Sequence, residues 1–359
     1  MRKIKLLLSV AFLCAFTIVN AQAPKYSDEF LQIGVSARAL SMGNSVVASV
    51  DDVTAGYWNP AGLLNIKSNM EFSLMHAEYF AGIAKYDYGA LSYRIDSSSV
   101  FGFTAIRFGV DDIPNTTQLI DASGNVNYDN ITSFSAADYG FLFSYARNMG
   151  IPNLDLGANV KIVRRVVGDF AQAWGFGFDL GAQYKYKQWL FGGVLRDATS
   201  TFNAWSYSID QATQQVFQET GNPIPEDNVE VTLPRLLLGA GRNFKLFQDK
   251  ISLLAELGTD ITFDGKRNTV ISTNPVSVDP HVGIEIGYKG FIFLRGGVSN
   301  IQSSTDVTGK AITTVQPDFG VGIKIKSFTL DYALTNIGDA SVALYSNIFS
   351  IKFDINKKT

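Results

Sequence analysis

The 359-residue sequence predicts an all-β fold, a transmembrane antiparallel β-barrel of about 14 strands preceded by an N-terminal plug segment. Three observations predict it. The chain begins with a short apolar leader, its apolar segments alternate with polar residues at every second position, and its connections alternate between short and long. The leader predicts export, and the alternation and the connections predict strands that face lipid on one side and a lumen on the other.

The first 21 residues have the pattern of a secretory signal peptide. Three basic residues precede an apolar run over residues 6–19, and Ala21 stands before the expected cleavage point. The run is too short to span a membrane as a helix, and the sequence turns polar directly after it, which argues against a buried N-terminal helix. The one cysteine, Cys14, lies within this leader, so we expect no disulfide and no Cys-based metal site in the mature chain.

The composition of the mature chain argues against a nucleic-acid partner and against helical membrane spans. Three of the 30 basic residues lie in the leader, which leaves 27 against 33 acidic residues and a net charge of −6. No apolar stretch of about 18 residues follows the leader, so no transmembrane helix is expected. Aromatic residues make up 13% of the chain and glycine occurs 32 times, a composition that favours strands and tolerates strained sheet positions.

Period-two alternation of apolar and polar residues predicts strands with one apolar face. The clearest run has Val282, Ile284, Ile286 and Tyr288 alternating with Gly283, Glu285, Gly287 and Lys289. Similar runs cover residues 176–185, 319–326, 328–335 and 349–356. A soluble β-sandwich alternates too, but these runs approach the roughly ten residues that a tilted transmembrane strand needs. Charged residues also lie mid-run opposite large apolar ones, as expected of a face that lines a lumen.

The predicted strands and their connections indicate a barrel with two unlike ends. The strands, an even number as in single-chain bacterial barrels, cover residues 70–77, 87–95, 99–108, 135–147, 155–167, 173–186, 189–197, 232–242, 250–261, 280–289, 291–300, 315–325, 327–335 and 343–355. The links at 96–98, 187–188, 290 and 326 are tight, those at 148–154 and 243–249 are longer, and those at 109–134, 198–231, 262–279 and 301–314 are long. Short periplasmic turns and long external loops characterise outer-membrane barrels, so we expect the outer membrane of a Gram-negative bacterium as the location.

Residues 22–66 lack this alternation and predict a plug inside the lumen, between a signal peptide over 1–21 and a barrel over 67–359. A barrel of this strand number encloses a lumen that strand side chains alone do not fill. A flexible periplasmic tail is the alternative, but Tyr57 and Trp58 add apolar bulk that disordered tails rarely carry. Within the plug we expect Asn59 to hydrogen-bond to backbone and Pro60 to end a short helical piece.

The run GVSARALSMGNSVVASVDDVTAGYWNPAGL, residues 34–63, resembles the N-terminal signature of the PorV/PorQ family of outer-membrane barrels, which are related in fold to the FadL fatty-acid transporters. The matching positions of this plug motif are Ala37, Arg38, Ala39, Met42, Gly43, Asp51, Asp52, Trp58, Asn59, Pro60, Ala61 and Gly62. The chain departs from the family pattern at Gly34 to Ser36 and at Gly62-Leu63. The resemblance implies a FadL-like barrel that belongs to, or assists, the type IX protein secretion system.

Two classes of function follow, and they differ in what the protein binds. The resemblance implies binding of type IX secretion components or cargo proteins, and the alternative is a FadL-like transporter of hydrophobic small molecules through the lumen or a lateral opening. The candidate loop binding surface is Phe202, Trp205, Tyr207 and Phe217, aromatic residues scattered through the polar link 198–231. We expect Trp205 and Tyr207 to anchor a partner, although the same link could form a lid over a ligand cavity. Outer-membrane lipid is the remaining expected partner.

No catalytic residue, cofactor or metal site is predicted, so the chain is not expected to be an enzyme. His76 and His281, the only two histidines, lie far apart near the ends of predicted strands. Neither a Gly-x-Ser-x-Gly nor a His-Glu-x-x-His motif occurs. The run over 121–129 has oxygen ligands and a glycine but lacks the final glutamate of a calcium-binding loop, which indicates a surface turn.

Overall fold

The computed structural model describes residues 27–120, 124–305, 310–335 and 346–356, so the expected signal peptide lies outside it. Its strands are β1 (Met70–Tyr79), β2 (Ala84–Arg94), β3 (Ser99–Asn115), β4 (Thr132–Arg147), β5 (Leu154–Val167), β6 (Ala171–Tyr186), β7 (Trp189–Arg196), β8 (Thr201–Tyr207), β9 (Asn228–Thr232), β10 (Arg235–Leu246), β11 (Ile251–Thr262), β12 (Ile271–Ser272), β13 (Ser277–Tyr288), β14 (Ile292–Thr305), β15 (Ala311–Ile325), β16 (Phe328–Thr335) and β17 (Ser346–Ile355). The helices are α1 (Ala37–Ser41), α2 (Ala55–Trp58) and α3 (Gln211–Glu219), and the 3-10 turns are Glu29–Leu31, Pro60–Asn65 and Tyr128–Asn130.

Fourteen of these strands close into an antiparallel barrel, in which β1 pairs with β2 on one side and with β17 on the other. The ring follows chain order through β7 and continues with β10, β11 and β13 to β17. Turns such as Lys187-Gln188 join strands at one end, here called the turn end, and most longer segments lie at the other, the loop end. The closed barrel confirms the predicted fold class and strand number.

All four segments predicted as long loops contain strand residues, since β12 lies within 262–279 and β14 and β15 extend into 301–314. The additions in 198–231 and 109–134 are the largest. Within residues 198–231, β8 pairs with β6 and β9 pairs with β8, while α3 lies between them in sequence. The wall strand β7 is therefore continued by β8 after a break in which Asp197 and Ser200 have positive φ angles of 54° and 61°. Within residues 109–134, β3 and β4 also run beyond their predicted ends. These extensions lie beyond the apolar part of the barrel wall and have a polar sequence. Apolar–polar alternation therefore did not predict them.

The two faces of the wall differ as the alternation predicts. In β13, Val282, Ile284 and Ile286 are exposed on the outside of the barrel. Glu285, between them in sequence, points inward and accepts hydrogen bonds from Arg38 in the lumen. Among the helices of the described residues, none is long and apolar enough to cross a membrane.

Residues 27–66 lie inside the barrel and are called the plug below. Most of their side chains are buried, and they form the main apolar core together with inward-facing side chains of the first strands. The plug begins toward the loop end, where the hydroxyls of Ser27 and Thr232 of β9 lie 2.6 Å apart. It ends at the turn end, where the carbonyl of Ile66 accepts a hydrogen bond from Arg94 of β2. The plug therefore follows the length of the lumen before the chain enters β1.

Glycines on the inner wall let the plug backbone contact the strands directly. A Cβ atom on Gly297 of β14 would lie 2.2 Å from the amide nitrogen of Gly43. One on Gly283 of β13 would lie 2.4 Å from the carbonyl oxygen of Met42, and one on Gly157 of β5 would lie 2.4 Å from the carbonyl carbon of Pro60. Atoms cannot approach so closely, so a larger residue at these positions would push the plug off the wall.

Candidate binding cavity at the loop end

The first half of the plug motif forms ion pairs with the wall. Arg38 of α1 donates to both carboxylate oxygens of Glu285, at 2.9 and 3.2 Å, and lies 3.5 Å from Asp51. Asp52 accepts a hydrogen bond from Lys352 of β17 at 2.9 Å. Burial alone would raise the pKa of Asp52, but the ammonium of Lys352 and the guanidinium of Arg38 hold that pKa below its ordinary value. These pairs fix the plug to β13 and β17.

The second half of the motif packs against β6 and other parts of the plug. Trp58 donates its ring N–H to a backbone carbonyl of the plug at 2.9 Å. Asn59 donates to the backbone carbonyls of Val47, at 2.9 Å, and Ala182 of β6, at 3.0 Å. These are the backbone hydrogen bonds that were predicted for Asn59 from the sequence. Pro60 follows α2 and is the first residue of a 3-10 turn. The remaining motif positions, Ala37, Ala39, Met42, Gly43, Ala61 and Gly62, are also buried.

A cavity of about 530 Å³ lies at the loop end, between the plug and the segments that cover this end of the barrel. Leu40, Val47 and Trp58 of the plug contribute to its floor, the strands that end here form its walls, and Arg267 of the segment between β11 and β12 adds to its rim. Binding pockets in proteins typically have volumes of about 300–1,000 Å³, so the cavity is large enough for a small organic molecule.

The part of the cavity next to β1 and β3 is apolar and aromatic. Phe30 and Trp58 of the plug, Phe108 of β3 and Phe80, which follows β1, line the cavity here. Tyr79 of β1 is only 2% exposed and belongs to the same lining. Its hydroxyl is buried and has no hydrogen-bond partner among the described residues. This wall would accept an apolar body and offers it one polar contact.

The opposite part, next to β10, β11 and β13, carries charged side chains. Arg235 of β10 donates to Gln32 of the plug at 2.5 Å. Arg267 donates to Asp264 at 2.6 Å and to Glu29 of the plug at 3.2 Å. Burial raises the pKa of Glu29, while Arg267 and Arg235 act against that rise. The guanidinium groups on this side therefore already have acceptors.

Two carboxylates lie directly opposite each other in this charged wall. Asp260 of β11 and Asp279 of β13 are partners in the ladder, and both line the cavity. His281 lies 3.6 Å from Asp260 and 2.8 Å from the hydroxyl of Ser45 in the plug. Oδ1 of Asp279 is buried and has no hydrogen-bond partner in the described part of the chain. Buried polar atoms are normally paired, so this oxygen is a candidate ligand contact.

The residues predicted as a loop binding surface are divided between the two faces of β8. Phe202 points outward and is exposed, whereas Trp205 and Tyr207 share the inward face, with their rings 6.1 Å apart. Trp205 donates to Glu230 of β9 at 2.8 Å. Phe217 of α3 is half-buried. The four residues do not form one surface, because alternate positions of a strand face opposite ways, and their part in partner binding stays a prediction.

The two histidines have different surroundings. His76 lies on the outer face of β1, 2.7 Å from Asp87 of β2, whereas His281 lines the cavity. Within the described ranges, no group of three or more His, Cys, Asp or Glu side chains is arranged to hold a metal ion. The run over 121–129 lies partly outside those ranges.

Comparison with known proteins shows similarity of structure but not of sequence. No family model matches the chain, and no curated protein sequence matches it. The barrel is similar to the toluene transporter TbuX of Ralstonia pickettii, with a TM-score of 0.54 and 15% identity over 90% of this chain and 99% of TbuX. It is also similar to the monoaromatic hydrocarbon channel CymD, with a TM-score of 0.54 and 12% identity over 90% and 98% of the two chains.

A Pseudomonas aeruginosa FadL homologue gives a TM-score of 0.50 and 13% identity, over 89% of this chain and 98% of the homologue. At identities this low, the similarity shows a common fold. The protein is therefore a 14-strand barrel with a FadL-like fold.

Proposed function

We propose that this protein is an outer-membrane transporter that takes up small hydrophobic molecules at its loop end. The cavity of about 530 Å³, with an aromatic wall and a floor made by the plug, is the observation that carries the proposal. The fold supports it, because the similar barrels include one named as a toluene transporter and one named as a monoaromatic hydrocarbon channel. Transport, rather than catalysis, is the activity proposed.

The orientation proposed for the barrel places the loop end outside the cell. Outer-membrane barrels keep short turns in the periplasm and longer loops outside. The outward faces of the strands carry apolar side chains such as Leu257 and Phe319, which suit a lipid environment. A molecule would then enter the cavity from the external side.

Passage beyond the plug requires a route, and a break between two ladders lies in the wall beside the cavity. The ladder between β7 and β10 ends at Arg196 and Arg235, and the ladder between β8 and β9 resumes at Thr201 and Thr232. Pro234 lies in this break and has no N–H to donate. Among the described residues β9 pairs with β8 alone, which leaves its other edge without a strand. We propose that ligands leave sideways here while the plug stays in place.

Uptake by whole cells tests the proposal. Gram-negative cells that produce the protein should accumulate radiolabelled butylbenzene faster than cells without it. Ile33 lines the cavity, so Ile33→Trp should fill part of the space and reduce uptake. Leu257→Trp is the matched control, because Leu257 is 60% exposed on the outer wall and should tolerate the added bulk. Equal uptake by the two variants would overturn the assignment of the cavity.

A secretion-associated role is the second candidate. The resemblance of the plug motif to the PorV/PorQ signature supports it, together with the exposed apolar residues of the β3–β4 connection. Ile120, Val126 and Tyr128 are 62%, 53% and 74% exposed at the loop end, and a β-bridge joins the first two. Exposed apolar groups of this kind are typical of protein interaction sites.

Capture of type IX secretion components from gently solubilised outer membranes tests this second role. Tyr128→Ala should reduce the capture, and Met149→Ala, at an exposed position near the turn end, should not. A deletion strain with normal cargo secretion and impaired uptake of hydrophobic compounds would decide for the transporter.

A further inference from the structure

We infer that the cavity recognises an amphipathic amine: a molecule with an apolar body and a protonated nitrogen that binds between Asp260 and Asp279. The inference rests on the proposed function, because it takes the cavity to be the ligand site, and it adds the chemistry of the ligand head. It differs from the neutral hydrocarbons for which two of the similar barrels are named.

The carboxylate pair is the first reason. Asp260 and Asp279 are direct cross-strand partners on the lumenal face, and like charges in that relation destabilise a sheet. Asp260 has His281 as a neighbour at 3.6 Å, whereas Oδ1 of Asp279 is buried without a partner. A cation placed between the two carboxylates would remove the repulsion and supply Asp279 with a donor.

The second reason is that arginines of the cavity lining already have hydrogen-bond acceptors within the protein. Three arginines and four carboxylates line the cavity: Arg196, Arg235, Arg267, Glu29, Asp260, Asp279 and Asp318. Arg267 is engaged by Asp264 and Glu29, and Arg196 donates to the carbonyls of Leu31 and Tyr57. These two arginines therefore already have acceptors within the protein, whereas Oδ1 of Asp279 has no donor in the part of the chain that the structure describes.

The unpaired atoms of the lining agree with a donor-rich head. Among the described residues of the lining, the buried polar atoms without partners are two acceptors (Oδ1 of Asn44 and Oδ1 of Asp279), one donor (Nε of Arg235) and the hydroxyls of Tyr79 and Thr335, which can donate or accept. The hydroxyl of Tyr79, unpartnered in a side chain that is only 2% exposed, lies in the same cavity. An ammonium group offers three donors, which suits this set better than a carboxylate does.

The aromatic wall then selects the body of the ligand. Phe30, Phe108 and Trp58 would pack against an aryl or short alkyl group. The structure therefore assigns the charged wall to the head and the aromatic wall to the tail.

A matched series of four compounds tests the inference. We would titrate 4-phenylbutylamine, 4-phenylbutanol, 4-phenylbutyrate and butylbenzene into the folded, detergent-solubilised mature protein at neutral pH, using calorimetry. The compounds share one tail and differ only at the head. A hydrogen-bonded charge contributes about 1.5–3 kcal/mol, so the amine should bind at least about tenfold more tightly than the alcohol.

Two variants test whether the carboxylate pair selects the head of the ligand. Asp279→Asn should reduce the affinity for the amine to that for the alcohol and leave the alcohol unchanged. Asp249→Asn is the control, because Asp249 is an exposed carboxylate between β10 and β11 at the turn end, outside the cavity lining. Heat-modifiable gel mobility shows that each variant is folded, and Asp260→Asn replaces Asp279→Asn if the latter does not fold.

The outcomes distinguish this inference from the proposed function. Equal or tighter binding of the alcohol, the carboxylate or the hydrocarbon overturns the amine inference while the cavity remains a ligand site. Binding of none of the four compounds, together with no effect of Ile33→Trp on cellular uptake, overturns both. Retention of the amine preference in Asp279→Asn and Asp260→Asn shows that another group selects the head, which also overturns the inference.

Discussion

The two halves of the lumen differ in how closely the plug packs against the wall. Beneath the cavity, glycines such as Gly283 and Gly297 bring strand backbone into contact with plug backbone. At the loop end the same plug leaves a cavity of about 530 Å³ lined by aromatic and charged side chains. Protein interiors are normally close-packed, and a cavity of this size is an exception. The comparison therefore indicates that the closely packed half is a scaffold and that the half with the cavity is a binding site.

The largest effect is expected from adding one side chain to the inner wall where the plug packs closely against the strands. Gly297→Val would bring a Cβ atom to 2.2 Å from the backbone of Gly43, and we expect the plug to be expelled or the barrel to fail to fold. Gly296→Val is the matched control, because a Cβ atom on outward-facing Gly296 would lie 4.0 Å from the carbonyl oxygen of Asp318, an ordinary contact distance. Heat-modifiable mobility and proteolysis between residues 48 and 64 report the result. Comparable folding of the two variants would contradict the close fit.

The ion pairs of the plug should give the next largest effect. Glu285→Ala removes the acceptor that Arg38 and Arg295 share, and leaves Arg38 with Asp51 and Arg295 with Asp331. Breaking a buried pair from one side costs about 3–5 kcal/mol, so unfolding should need markedly less denaturant. Lys245→Ala, which removes an exposed pair with Asp249, should cost less than about 1 kcal/mol. Equal shifts in the two unfolding curves would show that the plug is not held by Glu285.

The difference between the halves also explains what could be predicted from the sequence. Alternation predicted the barrel strands, because a single apolar face repeats every second residue whatever the partner strand is. The plug was predicted from its apolar bulk and its missing alternation, with Trp58 as the main indication. Both signals are local in sequence, so they needed no knowledge of the fold.

The cavity could not be predicted in the same way, because its lining comes from the loop ends of many strands. Asp260 and Asp279 come together when β11 pairs with β13, and Tyr79 of β1 joins the same lining only when the barrel closes. The one available signal was a pair of aspartates, Asp260 near the end of the strand predicted over 250–261 and Asp279 at the end of the link 262–279. The strand β8 was hidden for a related reason, since Asp197 and Ser200 interrupt the run that it continues.

Ionisation of Asp52 in the plug should make the stability of the folded protein depend on pH. Its pKa is lowered in the folded protein by Lys352 and Arg38, so the ionised carboxylate contributes stability above its unfolded pKa of about 3.9 and loses it as pH falls further. Asp52→Asn should therefore lower stability at neutral pH by about 1–3 kcal/mol and weaken the loss of stability on acidification. Thermal unfolding at pH 7 and at a series of acidic pH values measures both effects. A variant with the same acid dependence as the wild type would show that other groups set it.

Locking the plug should have the smallest effect on uptake. The amide of Ala37 donates to the hydroxyl of Ser350 on β17 at 3.1 Å, so the two residues are neighbours, and thiol titration of the double-cysteine variant shows whether a disulfide forms between them. If ligands leave sideways beside Pro234, the oxidised Ala37→Cys/Ser350→Cys variant should accumulate butylbenzene at nearly the wild-type rate. Uptake that stops on oxidation and returns on reduction would show that the plug must move.

The most direct measurement of the central claim is a crystal structure with a heavy-atom-labelled hydrocarbon. 1-Bromo-4-butylbenzene carries no charged head, so its binding does not depend on the amine inference. We expect an anomalous bromine peak inside the loop-end cavity, close to the rings of Phe30, Trp58 and Phe108. Ordered bromine only on the outer wall, with none in the cavity, would contradict the assignment of this cavity as the ligand site.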